Sequence, residues 1–356
     1  MGEARGARVA KTITFGVPCY NSAAYMDRCI SSIVEGSAGA DDVQVVVVDD
    51  GSTKDDTLAK AREWEARCPG IVKAVHQDNG GHGMAVLKAL EEADGTYFKI
   101  VDSDDWVDGA ALRELLAQLR RFVAYETRVD LVVTNYVYEH VDDGKQNTVD
   151  FGFALPKGKV ITWDKIGHFS MFQNMLMHAL CYRTDVLRDG GIPMPAHTFY
   201  VDNIYAYVPL PRCRTLYYLD VDLYRYFIGR EDQSVNEKVM ISRIDQQLRV
   251  TRVMMRSYHL FDDITSIKLR YYMLGHFTLM MAASSIYSQL AARQTGSEEA
   301  MDDMQALWDE LREFDERMYR YVRTNPVGFW MSMPGRRGGR TSRIIYRCAQ
   351  WIVKFN

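Results

Sequence analysis

Val43-Gln-Val-Val-Val-Val-Asp-Asp-Gly-Ser52 is the stretch that decides the fold. Val43 to Val48 is β-branched almost throughout, which predicts a central strand covered on both faces, and such strands belong to parallel sheets flanked by helices. The run stops at two acids and a glycine, a turn signal. Toward the N-terminus, Thr12 to Val17 predicts a first strand ending at Pro18. Asn21 or Ser22 is placed to cap a helix through Tyr25, Met26, Cys29, Ile30 and Ile33, spaced by three and four residues. Toward the C-terminus follow a helix over about Thr57 to Arg67, a strand Val72 to His76, and Asn79-Gly80-Gly81-His82-Gly83 opening a helix through Leu90. Tyr97 to Val101 predicts another strand, ending at Asp102-Ser103-Asp104-Asp105. Strands alternating with helices are the pattern of βαβ units and a mainly parallel sheet.

Further on, the pattern predicts a helix from about Gly109 to Phe122 and a strand at Leu131 to Tyr138. An irregular stretch with Pro156, Pro193 and Pro195 follows, then helices from about Val235 to Tyr321 with a gap near Thr295 to Glu299. The expected plan is an α/β domain over 1–234, with a donor half 12–110 and an acceptor half 111–234, a helical domain over 235–330, and a tail over 331–356. With 356 residues, 47% of them hydrophobic and 25% charged, the chain has material for such cores, and disorder is excluded. No apolar run reaches the roughly 18 to 20 residues of a spanning helix, and Met1 to Lys11 has no apolar signal core, so the expectation is a soluble cytosolic protein. The six cysteines form no CxxC pair and no His-flanked cluster, and read as reduced structural thiols.

The net charge of −4 argues against a nucleic-acid binder. Its distribution is uneven: Arg336, Arg337, Arg340, Arg343, Arg347 and Lys354, with no acid after Met331, give the tail +6 and leave −10 elsewhere. On a helical wheel Ile344, Ile345, Cys348, Trp351, Ile352 and Phe355 oppose the basic residues, the pattern of a helix lying on an anionic membrane surface or docked on the protein itself. A membrane-peripheral position at the inner face of the cell membrane is the expectation.

In open α/β sheets, ligands bind where polar residues gather past strand C-ends. Asp102 and Asp104, two apart at the end of an extended run, project to one face and suit a hard cation such as Mg²⁺ that also binds substrate phosphates. The competing reading is an acidic turn capping the helix that starts near Asp108. Asp49 and Asp50 end a second strand, and the two acid pairs converge if the strands are neighbours. Pro18, Tyr20 and Asn21 add an aromatic plane and a small polar group at the same rim. A base stacked on Tyr20, an N–H read by Asp49 and phosphates on a metal at Asp104 meet the needs of a nucleoside-diphosphate ligand. Asn79, Gly80 and Ser103 join Asp50 as candidate donor contacts. The glycines form no GxGxxG and precede no Walker lysine, which disfavours a dinucleotide-binding oxidoreductase.

Together the runs Gly16-Val-Pro-Cys-Tyr-Asn-Ser-Ala-Ala-Tyr25, Val46-Val-Val-Asp-Asp-Gly-Ser-Thr53, Gln77-Asp-Asn-Gly-Gly81 and Tyr97-Phe-Lys-Ile-Val-Asp-Ser-Asp-Asp-Trp106 resemble the successive signatures of family 2 glycosyltransferases. The resemblance covers residues 12 to about 110. It implies a GT-A fold and inverting transfer from a nucleotide sugar, usually a UDP-sugar, with Mg²⁺ or Mn²⁺. By the same resemblance Tyr20 stacks on the base, Asp49 reads its N–H, Asp102 faces the ribose or the metal, and Asp104 is the direct metal ligand. Asp105 either joins them or anchors the loop.

Inverting transfer requires a general base for the acceptor hydroxyl. The family places an acid near the start of a downstream helix, and Asp202 in His197-Thr-Phe-Tyr-Val-Asp-Asn-Ile-Tyr205 matches it, although Val201 stands where the family more often has Glu. The bland alternative for Asp202 is a helix N-cap. Arg230, Gln233 and Ser234 follow an aromatic strand and suit a loop over the diphosphate, arginine matching phosphate oxygens with its planar fork. His178, His197 and Trp106 are candidate acceptor contacts, against the commoner reading of a lone histidine as a hydrogen-bonded core residue. The Gln-x-x-Arg-Trp motif of processive synthases is absent, which favours transfer of one sugar, to a lipid-linked, glycolipid or other cell-envelope glycan. The reading from another class is an inert nucleotide- or glycan-binding protein on the same fold, and a homo-oligomer is open.

Overall fold

The computed structural model describes residues 10–140, 144–169, 173–228 and 237–326. Two compact units divide it: one drawn from Met1–Lys165, Met175–Thr198 and Arg212–Gly229, the other from Ile166–Asn174, Phe199–Pro211 and Arg230–Asn356.

In the first unit the chain begins as β1 (Lys11–Cys19), α1 (Met26–Gly36), β2 (Val43–Asp50), α2 (Thr57–Arg67), β3 (Val72–Gln77), α3 (His82–Glu91) and β4 (Gly95–Ile100). It continues as β5 (Trp106–Val107), α4 (Gly109–Ala124), β6 (Leu131–His140), β7 (Gln146–Val149), β8 (Val160–Ile161), β9 (Leu180–Arg183) and α5 (Thr184–Arg188). The second unit contributes α6 (Asp202–Tyr207), and the first closes with β10 (Leu216–Ile228). The sheet runs β3-β2-β1-β4-β9-β6-β10-β5, with β7 on β6 and β8 on β10. Its first four strands are parallel throughout, as β-branched strands buried on both faces require. All eight residues of β2 are buried, the two terminal aspartates included.

The order 3-2-1-4 places a topological switch point between β1 and β4, because the chain winds outward from β1 in one direction and then returns to its other side. Asp49 and Asp102 therefore end strands that flank β1; β2 and β4 are not neighbours. Pro18 is accommodated because β4 has already ended. Gly16 O accepts from Val101 N at 3.0 Å, and Pro18, two residues on, faces the same side, where no ladder donor is needed.

The first helix starts at Met26, later than its capping signals suggest, because those residues are engaged elsewhere. Asn21 Oδ1 accepts from Thr53 N and Lys54 N at 3.2 and 3.0 Å, and Ser22 Oγ accepts from Tyr20 N at 3.1 Å. Asn21 itself stands at φ 50°, a conformation asparagine tolerates. Beyond β4 the sheet turns mixed: β9 lies antiparallel between β4 and β6, while β6 and β10 run parallel.

The second unit is helical: α7 (Glu237–Ser242), α8 (Ile244–Ser257), α9 (Leu260–Asp263), α10 (Ile267–Thr295), α11 (Glu299–Phe314) and α12 (Glu316–Thr324). Gly296 ends α10 in the left-handed conformation, φ 72°, which glycine adopts without strain. No helix among the described residues is long and apolar enough to cross a membrane.

Candidate active site

The carboxyl ends of β1 and β4 meet at the switch point. Tyr20 is 49% exposed, directly after eight buried residues, so its ring stands at the rim rather than closing the core. Ser103 Oγ donates to Ser22 Oγ at 2.9 Å, and Ser22 N donates to Thr57 Oγ1 at 2.7 Å, which ties the acidic loop after β4 to the turn after β1. Asp108 caps α4 alone, its Oδ1 accepting from Ala110 N and Ala111 N at 3.0 Å each. Asp102 and Asp104 are thus not the helix cap, and both are half-buried.

Each aspartate at this end has a distinct setting. Asp102 Oδ1 pairs with His82 Nε2 at 2.8 Å and keeps a side chain 23% exposed. Burial works to raise its pKa, but the charge and hydrogen bond of His82 outweigh this and hold the carboxyl below its ordinary value. Asp105 is buried, with Oδ2 accepting from Tyr224 OH at 2.6 Å and Oδ1 from Phe227 N at 2.8 Å. Burial, then the charges of Asp104 and Asp102, push its pKa well up. Asp105 thereby anchors the loop to β10.

His178 is 7% exposed and packed by three tyrosines, with ring centroids 4.7 Å from Tyr224, 4.7 Å from Tyr226 and 5.5 Å from Tyr136. Burial lowers its pKa to about 4, so the ring is neutral. Its Nδ1 is buried with no hydrogen-bond partner. One nitrogen of His178 and one oxygen each of Asp102 and Asp105 lie within 4.8 Å of one another. That donor set fits a divalent cation, which takes carboxylate oxygens and neutral imidazole. Lys99, on β4 and fully buried, donates to His178 O at 2.6 Å and Leu180 O at 3.3 Å, and burial lowers its pKa to about 8.

At the end of β2, Asp49 Oδ2 pairs with His76 Nδ1 at 2.7 Å and Oδ1 accepts from Ser52 N at 3.2 Å. Asp50 lies under the glycine loop: Oδ1 accepts from Gln77 Nε2 at 2.7 Å and Gly80 N at 2.9 Å, and Oδ2 from Gly81 N at 2.8 Å. Asn79 Nδ2 donates to Asp50 O at 2.9 Å. Gly81, at φ 86°, turns the chain into α3 and sets His82 at the first position of that helix. His197 is exposed, at φ 48°, and its N–H donates to Gly80 O at 2.7 Å, so it adjoins the same loop. Trp106 is half-buried, 3.1 Å beneath the Arg28 guanidinium carbon.

Asp202 opens α6 in the second unit and is half-buried; Val201 occupies the N-cap position, so the capping alternative is set aside. The adjacent Asn203 is held by its Nδ2 on Tyr200 O at 3.2 Å and by His276 Nε2 against its Oδ1 at 3.3 Å. Arg230, Gln233 and Ser234, and the basic tail, lie outside the described residues. Sequence reasoning missed His82, His76, Lys99 and the anchoring role of Asp50. The signal for His82 was present, a side chain with two nitrogens inside a glycine run that opens a helix beside an acidic strand end.

The sheet, with an exposed tyrosine and an aspartate cluster at its switch point, has the GT-A fold found in glycosyltransferases. Residues 14–180, just under half of the chain, match the family Glycosyl transferase family 2. Among individual proteins the chain is similar to the putative glycosyltransferase EpsH of Bacillus subtilis, 29% identical over 209 residues, which cover 54% of this chain and 58% of EpsH. It is also similar to TarS of Staphylococcus aureus, a poly(ribitol-phosphate) beta-N-acetylglucosaminyltransferase, 33% identical over 101 residues, or 28% of this chain and 18% of TarS. The chain thus spans little more than half of the first of these relatives and under a fifth of the second. In fold it is similar to TarS 1–349 in complex with UDP-GlcNAc, with TM-score 0.57 and 17% identity over 95% of this chain and 92% of that one. The mannosyltransferase PcManGT of Pyrobaculum calidifontis, in complex with GDP-Man and Mn²⁺, gives 0.51 and 17% over 90% and 88%.

Proposed function

We propose that the protein transfers a single sugar, with inversion, from a UDP-sugar to a lipid-linked or glycolipid glycan of the cell envelope. The observation that carries this reading is the meeting of Tyr20 with the Asp102–Asp105 loop at the switch point, bridged by Ser103 and Ser22. The exposed Tyr20 ring offers a stacking plane for the base, and Asp49 an acceptor for its N–H. Asp50 shapes the glycine loop that borders the same crevice. When bound, a divalent cation offsets the charge developing on the departing diphosphate, and Asp102 and Asp104 would hold it. TarS and PcManGT, bound to UDP-GlcNAc and to GDP-Man with Mn²⁺, support a nucleotide-sugar donor, and the poly(ribitol-phosphate) acceptor of TarS supports an envelope glycan.

Asp202 is the general base. As the acceptor oxygen attacks the anomeric carbon, the bond from that carbon to the nucleotide breaks, the hydroxyl proton passes to the carboxylate, and UDP leaves from the opposite face. The basic tail suits an anionic lipid surface, where a lipid-linked acceptor resides.

Calorimetric titration with UDP and GDP, with and without Mn²⁺, tests the reading alongside two variants. Metal-dependent UDP binding is expected, lost in Asp104→Ala. Asp202→Asn is expected to keep that binding while its transfer rate falls by roughly two to four orders of magnitude. Absence of nucleotide binding under all conditions overturns the donor site, and wild-type turnover in Asp202→Asn overturns the base.

A further inference from the structure

We infer that His178 adds a nitrogen ligand to the divalent cation proposed above at Asp102 and Asp104, with Asp105 beside it in the donor set. The inference rests on the metal-assisted reading above and deepens it, because it adds a ligand of different chemistry from the carboxylates. Three observations carry it. A nitrogen of His178 and one oxygen from each of the two carboxylates are mutually within 4.8 Å. Donors about 2.1 Å from one ion stand about 3 Å apart when adjacent and about 4.2 Å apart when opposite, so the three side chains draw together when the ion binds.

The second observation is the unpartnered Nδ1 of a ring 7% exposed. A buried polar atom without a partner is destabilising, and an apolar side chain of similar shape would fill the tyrosine box without that cost. The three tyrosines pack their rings about His178, while the Tyr224 hydroxyl donates to Asp105. A metal ion on the ring is what gives an imidazole a reason to stand there.

Third, the parts are held in place from outside the cluster. Lys99 fixes the backbone of His178 through its carbonyl, at 2.6 Å. Tyr224 OH and Phe227 N fix both oxygens of Asp105, and each oxygen retains a further lone pair. His82 fixes one oxygen of Asp102. Such outer contacts are the usual support of a metal ligand set. The consequence is selectivity. Two carboxylates alone suit Mg²⁺, whereas an imidazole nitrogen moves the preference toward Mn²⁺, Co²⁺ or Zn²⁺.

The test is pulsed electron paramagnetic resonance of the full chain loaded with Mn²⁺, first alone and then with UDP. Modulation from a directly bound ¹⁴N is expected, converting to ¹⁵N when histidine is ¹⁵N-labelled. It is expected to vanish in His178→Gln and to persist in His82→Gln and His197→Gln, whose imidazoles adjoin the same crevice. The affinity for Mn²⁺ falls at least about tenfold in His178→Gln, and the ratio of Mn²⁺ to Mg²⁺ affinity falls with it. Should His178→Gln fail to fold, a histidine signal that survives in the other two variants still supports the assignment. Bound Mn²⁺ without nitrogen modulation, or a signal lost in His82→Gln and kept in His178→Gln, overturns the role of His178 and leaves the carboxylate site standing. No Mn²⁺ binding, with or without UDP, overturns both.

Discussion

The ends of β2 and β4 carry the same kind of sequence, acids at the close of an apolar strand, and treat it in parallel ways. At each end one aspartate pairs with an imidazole, Asp49 with His76 at 2.7 Å and Asp102 with His82 at 2.8 Å. At each end a second aspartate is enclosed by donors that shape a loop, Asp50 by Gly80, Gly81 and Gln77, and Asp105 by Tyr224 and Phe227. The ends differ in openness. The Asp49 side chain is 1% exposed and the Asp102 side chain 23%. They differ also in what surrounds the enclosed acid. Asp50 meets an amide side chain and two backbone N–H groups, whereas burial first and then two further carboxylates disfavour ionisation of Asp105. At each strand end, therefore, one aspartate meets an imidazole and its partner is enclosed by donors that fix a loop.

The largest expected separation of the two ends is in the enclosed acids. Asp50→Asn puts an NH₂ group against donors and is expected to destabilise the fold by about 3 kcal/mol. Asp105→Asn is expected to stay within about 1 kcal/mol, because burial and the neighbouring carboxylates already oppose its charge and the Tyr224 hydroxyl can turn to accept from the new NH₂. Urea unfolding of both variants, read as midpoints at constant slope, checks this. Equal losses at the two sites would break the comparison.

Next in size is the turn that follows β2. Gly51 stands at φ 69°, and a Cβ there would meet Asn79 N at 2.7 Å. Gly51→Ala combines left-handed strain with a backbone clash and is expected to cost about 2 kcal/mol, again by urea midpoint. Because the displaced atom belongs to the glycine loop, Mn²⁺-dependent UDP binding should weaken in the same variant. Loss of stability with unchanged nucleotide affinity would show that this loop does not border the donor.

Much of this arrangement is legible in the sequence, and the exceptions have physical reasons. The continuous β-branched run of β2 admits only a doubly covered strand, and the bounds of α2 follow from its spacing alone. β9 does not announce itself: Leu180-Cys-Tyr-Arg183 is too short to show a period, and its antiparallel place between β4 and β6 is a matter of long-range pairing. Lys99 lies within the predicted strand Tyr97 to Val101. It is buried because carbonyls at residues 178 and 180 receive its ammonium, partners about eighty positions downstream. The role of Asp50 was hidden for a similar reason, since a carboxylate that binds a ligand and one that binds backbone N–H groups look alike until the loop is placed. His178 shows the limit of the rule that a lone histidine among apolar residues is a satisfied core residue: it is core, and its Nδ1 is unsatisfied.

The smallest expected effects concern the two imidazoles, and they test the difference in openness most finely. His76 has a side chain 48% exposed, and removing it in His76→Ala lets water reach Asp49 Oδ2 in place of the ring. An exposed partner of this kind contributes little, so a loss of about 0.5 to 1 kcal/mol is expected. His82→Ala should cost less than that in stability, because Asp102 already meets solvent. Its effect is instead expected in the ligand, as a several-fold weaker affinity for Mn²⁺ with UDP once Asp102 is no longer held in one orientation. Thermal unfolding and calorimetric titration of the two variants side by side separate these outcomes. If His76→Ala weakens metal affinity as much as His82→Ala does, the two strand ends serve one ligand in the same way, and the division drawn between them fails.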